Sequence, residues 1–346
     1  MDAFARRRIG NTSLEVTALG FGGASLGDAY DVIPEAQAEG ALEAAFAGGI
    51  GYFDTSPWYG NGKSEMRVGR VLRTKPRSSF VLSTKVGRVY FRPSEPDTYH
   101  HSRWVGGLPF DRRFDYTRDG ILKSYEQSLL RLGINRVDAL LIHDLDLRHQ
   151  LTDEGIAARF KELENGKGWQ ALADLKATGE IQAIGAGINH VGMIPRFLDR
   201  YDIDFFLLAM PYTLMEQEAL DEELPLCVER GASVVIGAPF ASGILARGPR
   251  PGALYGYKPA EPDIIAKAEQ IAAVCARHDV PLAAAALQFP LAHPAVSSIV
   301  PGPVSSEEVR LNFAAMRYPI PDALWDDLKA AKLLRADAPV PRLGGV

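Results

Sequence analysis

Eight short apolar runs, rich in β-branched and aromatic residues, recur along the chain at positions 18–22, 52–55, 80–85, 138–143, 182–187, 204–209, 233–238 and 296–300. Between them lie segments of helical period: Ala38, Ala41, Leu42, Ala45 and Phe46; Ile121, Leu122, Tyr125, Leu129 and Leu132; Ile264, Ile265, Ala268, Ile271, Ala272 and Cys275. A strand that returns parallel to its predecessor needs a crossover long enough for a helix, so the alternation dictates parallel strand–helix units. The runs are apolar without alternation, as in a sheet covered on both faces. Eight such units close into an α/β fold of the (β/α)8 TIM barrel type more readily than they lie in an open sheet. Gly10-Asn11 within 9–16 supplies turn chemistry for an N-terminal β-hairpin that would plug the barrel floor.

Two connections break the rhythm. Residues 86–117, after strand 3, carry Tyr90, Arg92, His100, His101, Arg103, Trp104, Arg112 and Arg113; residues 248–262, after strand 7, are crowded with Gly, Pro, Tyr255 and Tyr257. Loops of this length without a periodicity of their own are expected to be lids. One domain is expected over 1–346, the barrel filling about 8–316 and a C-terminal helix and tail the rest, with the end from 338 frayed.

Composition narrows the partners. With 43 acidic against 38 basic residues, a formal net charge of -5 and no dominant basic block, the chain lacks the electrostatic footprint of a nucleic-acid binder. No stretch reaches ~18 uninterrupted apolar residues, so no membrane span is expected. Arg6, Arg7 and Arg8 lead into polar Asn11, Thr12, Ser13 and Glu15 where a secretory leader needs an apolar run; the arginines read as a solvated patch. The two cysteines, Cys227 and Cys275, give no disulfide framework and no metal spacing, as in buried thiols of a cytoplasmic protein. Oligomeric state is left open.

Several motifs fail on inspection. Gly60-Asn61-Gly62-Lys63-Ser64 ends like a phosphate loop, but Pro57 stands where its first glycine belongs. Gly185-Ala186-Gly187 follows a strand, yet His190 occupies the third glycine position of a dinucleotide fingerprint. His100-His101 lacks a third ligand at fixed spacing, and no metal is expected.

What remains is a set of polar residues at strand ends, the face on which parallel barrels place their chemistry. Strand 2 ends in Asp54 and leads to Tyr59, strand 3 ends in Lys85, and strand 4 ends in His143. Each has an ordinary reading: Asp54 as a turn cap, Lys85 snorkelling outward, His143 as a satisfied core imidazole, Tyr59 as a loop aromatic. Together they suit proton transfer to or from a carbonyl or alcohol oxygen by Tyr59. A phenol titrates near 10, and a cation ~4 Å away at an effective dielectric of about 20 would stabilise the phenolate by ~4 kcal/mol, or ~3 pKa units. Lys85 is the expected cation, Asp54 its anchor, and His143 the group that orients the substrate oxygen. No side chain donates hydride, so a redox step needs a cofactor.

The segment Gly49-Ile50-Gly51-Tyr52-Phe53-Asp54-Thr55-Ser56-Pro57-Trp58-Tyr59-Gly60, with Ser64-Glu65 and Gly69, resembles the strand 2 signature of the aldo-keto reductases. Gly20-Phe21-Gly22-Gly23, Ser83-Thr84-Lys85-Val86-Gly87, Leu132-Gly133 with Asp138 and His143, Ile184-Gly185 and Val300-Pro301-Gly302 extend the resemblance over nearly the whole chain. It implies a barrel that binds a nicotinamide dinucleotide, with a catalytic tetrad falling on Asp54, Tyr59, Lys85 and His143. It further implies cofactor contacts at Gly23, Ala24, Asp54, Asn189, the loop Phe240-Ala241-Ser242-Gly243, and Gly302, Val304, Ser305, Glu308 and Asn312. The sequence departs from the family at Ala209, usually Gln, and Gly237, often a stacking aromatic. NADP-using members commonly place Arg or Lys where Val304 stands, and Glu307 and Glu308 lie nearby; NAD is therefore expected over NADP. Features such as Ala186-Gly187-Ile188-Asn189 and Ser242-Gly243-Ile244-Leu245 resemble the subgroup with D-threo-aldose (L-fucose) 1-dehydrogenases, L-galactose dehydrogenase and pyridoxal 4-dehydrogenase. The resemblance implies oxidation of an aldose at C1 to its lactone, with Trp58, Tyr90, Arg92 and Trp104 expected around the small-molecule substrate. Pyridoxal oxidation and general carbonyl reduction are the alternatives, and a nicotinamide-binding regulatory subunit, like the β subunits of potassium channels, is the alternative of another class.

Overall fold

The computed structural model describes residues 1–100 and 103–342. An antiparallel hairpin, β1 (Arg6–Arg8) and β2 (Glu15–Thr17), precedes the barrel. The barrel strands then begin with β3 (Phe21–Gly22), β4 (Tyr52–Asp54) and β5 (Val81–Val86). A second ribbon, β6 (Arg88–Phe91) paired antiparallel with β7 (Asp111–Phe114), interrupts them. The barrel resumes with β8 (Ala139–His143), β9 (Ala183–Ile188), β10 (Phe205–Ala209) and β11 (Ser233–Gly237). A short pair, β12 (Leu254–Tyr255) and β13 (Lys258–Pro259), precedes the last barrel strand, β14 (Val296–Val300).

The eight barrel strands run parallel in the order β3-β4-β5-β8-β9-β10-β11-β14. A parallel bridge from Leu19 to Ile299, with Gly20 N donating to the Ile299 carbonyl at 2.8 Å, joins the two ends into a (β/α)8 barrel. Seven of the strands fall within a residue of their expected runs, because burial on both faces leaves an uninterrupted apolar signature, and the first, β3, covers only Phe21–Gly22 of the expected 18–22. The helices Glu35–Ala47, Arg118–Leu132 and Pro262–Arg277 turn the expected apolar stripes inward. Ile9, Leu14 and Val16 of the hairpin are buried in a cluster with Tyr52, Ala139, Ala183, Phe205 and Val235, which closes the floor as its position suggested. Both cysteines are free and buried.

The connection at 86–117 differs from the expectation of a loop without regular structure. It carries the β6–β7 ribbon, in which Arg88 pairs with Phe114 and Tyr90 with Arg112. Charged and aromatic residues on both faces hide the two-residue period that marks a half-buried strand. Among the described residues no helix is long and apolar enough to cross a membrane.

Candidate active site

Parallel register delivers the strand-end residues to one place. Asp54 pairs with Ser83, Lys85 with Leu141, and His143 with Gly187, so that side chains two apart along β5 share a face with the end of β4. Lys85 Nζ donates to Asp54 Oδ2 at 2.6 Å and to the Thr55 carbonyl at 2.8 Å, both partners being buried. Ser83 Oγ donates to Asp54 Oδ1 at 2.7 Å and is itself 3.0 Å from the Tyr52 hydroxyl, which must therefore be the donor. Burial pushes the Asp54 carboxyl above the usual aspartate range, and the Lys85 charge pulls it back.

Tyr59 opens a tight turn in which Gly60 has φ 65° and Asn61 φ 53°. A Cβ on Gly60 would stand 2.6 Å from the Gly27 carbonyl oxygen, and one on Gly27 would stand 2.5 Å from Gly60 N. Only two glycines let these backbones meet, and their contact fixes where Tyr59 emerges. Its ring lies 4.7 Å from Lys85 Nζ, centre to atom, and edge-on to His143 at 5.9 Å between ring centres. The four expected catalytic side chains are thus brought together at one point of the barrel rim, with Lys85 and His143 lining the cleft there.

The tuning of Tyr59 runs opposite to expectation. Burial, the larger cause, and the Asp54 charge push its phenol well above 10. The reason is the ion pair: an ammonium bonded to a carboxylate presents a dipole, whose field at the ring is much weaker than that of a lone cation. The Arg88 charge limits the rise without reversing it.

His143 is held neutral, since burial pushes it well below the usual imidazole value against the pull of Asp144. Its Nδ1 lies 3.2 Å from Arg88 Nη1 and 3.0 Å from Ser56 Oγ. A guanidinium can only donate, so Nδ1 accepts and the ring proton sits on Nε2. Arg88 in turn binds Asp144 Oδ2 at 2.6 Å, and the Tyr116 hydroxyl donates to the His143 carbonyl at 2.6 Å. Gly187 leaves room for the group: a Cβ there would lie 3.3 Å from His143 Cδ2 and 3.4 Å from Lys85 Cε.

Arg88 and Asp144 also belong to this cluster, and sequence reasoning missed both. Both carried a signal. Arg88 follows Lys85 by three residues at the catalytic rim, and Asp144 directly follows His143, in a left-handed conformation (φ 55°) that a non-glycine residue adopts at a cost.

The small cleft at this point, about 120 Å³, is lined by Ser56, Pro57, Trp58, Lys85, Val86, Arg88 and His143. It is smaller than the ~300 Å³ of typical ligand sites, so its roof must part to admit a small-molecule substrate. The roof contains Trp104, 5.5 Å from Trp58 and 6.1 Å from Tyr59 between ring centres. Of the expected substrate contacts, Trp58 and Trp104 are here. Tyr90 is buried against the helix Arg118–Leu132, with its backbone bonded to Gln127 and its ring beside Arg131; Arg92 is exposed beyond β6. Neither lines the cleft, and Arg88 supplies the cation expected of Arg92. Of the histidine pair, His101 lies outside the described residues. A larger cleft of about 740 Å³ lies against Arg7, Ser233 and His293 at the floor end, away from the strand ends expected to carry the chemistry.

The expected cofactor residues form two neighbouring loops beyond β11 and β14, which pair through Gly237 and Val300. Ala238, Ala241 and Ser242 all have positive φ, and nothing lies within 4 Å of where a Cβ on Gly243 would stand. Left-handed backbone at a phosphate-binding rim, facing open space, suits a pyrophosphate. Gly302 lies so near Ser25 that a Cβ would be 2.6 Å from its Oγ and 3.2 Å from the Gly22 carbonyl oxygen, which brings Gly302 to the turn that holds Gly23 and Ala24. Ser305 caps the helix Ser306–Arg317 by accepting from Glu308 N, and Glu308 Oε2 accepts from Val304 N at 2.8 Å; Asn312 is buried on the same helix. Phe240 and Ala241 shape the first loop, and Ser242 Oγ accepts from Tyr257 N at 3.0 Å. Asn189 donates from its side chain to Asp146 Oδ2 at 2.9 Å and Asp144 Oδ1 at 3.3 Å. Gly237 faces Leu207, whose Cδ2 would be 2.9 Å from an added Cβ, so an aromatic ring could stand there only if Leu207 shifted. Asp144, Asp146 and His149 offer three donor atoms within 4.8 Å of one another, but Arg88 and Asn189 already occupy the carboxylates.

The family model of the aldo/keto reductase family matches residues 18–332. The chain belongs to that family. It is 40% identical to a pyridoxal 4-dehydrogenase of Microbacterium luteolum, over 96% of this chain and 99% of that protein. It is 38% identical to a D-threo-aldose 1-dehydrogenase of a Pseudomonas species, over 93% and 95%, and 30% identical to an L-galactose dehydrogenase of Arabidopsis thaliana, over 90% and 87%. A holo-form aldo-keto reductase from Bacillus halodurans superposes with a TM-score of 0.73 at 26% identity, covering 97% of this chain and 98% of that one. Membership of the aldo/keto reductases makes the chain an oxidoreductase and implies a nicotinamide cofactor.

Proposed function

We propose that the chain is an NAD-dependent dehydrogenase that oxidises the hydroxyl of a cyclic hemiacetal, C1 of an aldose in the first instance, to the lactone. The observation that carries this reading is the placement of Tyr59 over the buried Lys85–Asp54 pair, beside a neutral His143 whose Nε2 bears the proton. When bound, the nicotinamide supplies the hydride acceptor. The residues of this chain manage the oxygen and its proton. His143 Nε2–H donates to the hemiacetal oxygen and fixes its direction, and Tyr59 receives the hydroxyl proton as its phenolate. Because the phenol is held above 10, little phenolate stands ready at neutral pH, and oxidation gains from alkaline conditions.

Supporting NAD, Val304 offers no cation to a 2'-phosphate, and Glu308 already places a carboxylate on the Val304 N–H. Arg247, the guanidinium nearby, reaches Glu308 at 3.5 Å.

Pyridoxal is the second reading, favoured by the 40% identical relative and by the Trp58–Trp104 pair, which suits a flat aromatic ring. Pyridoxal closes to an internal hemiacetal, so both substrates present the same H–C–OH to the same residues. The test is NADH formation, followed by absorbance, across aldoses, pyridoxal and simple alcohols, with Tyr59→Phe alongside. Turnover of hemiacetals that Tyr59→Phe lowers at least a hundredfold, with NADH affinity kept, supports the assignment; near-normal turnover by the variant removes Tyr59 from the reaction. Tight NADH binding with silence across the panel would favour a regulatory protein instead.

A further inference from the structure

The ribbon above the cleft carries a cation that forms no ion pair among the described residues. Arg112, on β7, lays its guanidinium carbon 4.3 Å from the centre of a Trp58 ring on which Arg88 also stacks, at 4.6 Å. Two like charges therefore share one indole. Arg88 is neutralised by Asp144 at 2.6 Å. Arg112, half-buried, has no carboxylate oxygen within 4.0 Å among the described residues, and its guanidinium makes no hydrogen bond to any of them. The adjacent Asp111 turns its carboxylate to the Arg112 backbone N–H instead, at 2.7 Å. Burial first, and the neighbouring Arg88 as well, weaken the hold of Arg112 on its proton.

A half-buried guanidinium repelled by its neighbour gains most from an anion brought in from outside, and its planar fork matches carboxylate and phosphate oxygens. Its location is selective. Trp58 lines the cleft and adjoins Tyr59 in sequence, so an anion at Arg112 would be held beside the reacting hydroxyl and apart from the dinucleotide loops beyond β11 and β14. We propose that Arg112 binds an acidic group, carboxylate or phosphate, carried by the substrate, so that the preferred substrate is an acidic sugar rather than a neutral one. This rests on the hemiacetal oxidation proposed above and leaves its bond changes unaltered: the C1 hydrogen leaves as hydride to NAD, the hydroxyl proton goes to Tyr59, and the lactone carbonyl forms.

The experiment compares kcat/KM for galactose, galacturonate and galactose 6-phosphate in the wild type, Arg112→Gln and Arg112→Lys. The wild type should favour one acidic sugar over galactose by about ten- to a hundredfold, the range of a charged hydrogen bond. Arg112→Gln should bring that ratio near one, chiefly through KM, and Arg112→Lys should restore part of it. Whether the uronate or the phosphate gains identifies the acidic group. A second readout needs no turnover: quenching of tryptophan fluorescence on titration with each sugar alone, saturable for an acidic sugar in the wild type and lost in Arg112→Gln. If no sugar is oxidised but this quenching holds, the dehydrogenase reading fails and the anion site stands. If galactose is oxidised as well as its acidic counterparts and the ratio does not move in Arg112→Gln, the anion site is overturned; absence of both turnover preference and acid-specific quenching overturns it equally.

Discussion

Replacing Lys85 by Met isolates what the buried ion pair does for Tyr59. The ammonium lies 4.7 Å from the centre of the phenol ring and 2.6 Å from Asp54. At an effective dielectric of 20 the ammonium alone favours a phenolate by about 3.5 kcal/mol, while a carboxylate roughly 7 Å out opposes it by about 2.3, leaving about 1.2 kcal/mol for the pair. Lys85→Met therefore costs up to about 400-fold in oxidation where Asp54 stays charged, but only about 8-fold where Asp54 takes up a proton and the whole pair vanishes. Burial already pushes Asp54 upward, and losing Lys85 pushes it further. The orphaned acid sheds its proton as pH rises, and its new charge then repels the phenolate. The deficit of Lys85→Met should accordingly widen with pH, whereas Lys85→Met combined with Asp54→Leu should stay near an 8-fold loss throughout. The assay is kcat/KM between pH 6 and 10 for the three proteins, with thermal melts in parallel. The single variant should lose about 3–5 kcal/mol of stability where Asp54 is charged, and the double variant should regain most of it. A double variant as impaired as the single one at pH 10 would show that Lys85 acts through a placed N–H rather than through its field.

For the wild type, log kcat/KM for oxidation should climb with pH to at least pH 9, because the reacting form is the scarce phenolate, and carbonyl reduction, which uses the phenol, should stay flat over that range. A plateau in oxidation by pH 7 would contradict this. Val304→Arg should move the NAD to NADP preference toward NADP by about ten- to a hundredfold, measured as a kcat/KM ratio, since it adds a cation beside the backbone N–H that Glu308 now caps. An unchanged ratio would refute the placement of the adenosine ribose.

The eight strands were legible because burial on both faces demands unbroken apolar runs. Asp54, Lys85 and His143 were legible because each is a polar residue that ends such a run. The β6–β7 ribbon was not, since Arg88, Tyr90, Arg112 and Phe114 combine charge and aromatic area on each face, and with it went the role of Arg88. Tyr90 and Arg92 were expected near the substrate because they are the kinds of residue that hold sugars, but register along the ribbon sends one into the flank of the barrel and the other into solvent. The sign of the Tyr59 shift could not be read either. Sequence names the neighbours of a phenol, but the balance depends on how much water burial removes and on Lys85 being already bound to Asp54.

The contact of Gly27 with Gly60 meets two demands on this enzyme. Admitting a guest requires the tryptophan cover to swing aside, while chemistry requires its proton acceptor to stay put. Clamping the base of Tyr59 to the first barrel loop, backbone on backbone, holds the proton acceptor fixed. Because Leu108 N donates to the Gly60 carbonyl and Val105 N to the Asp28 carbonyl, each at 2.9 Å, the cover must pivot about this same clamp.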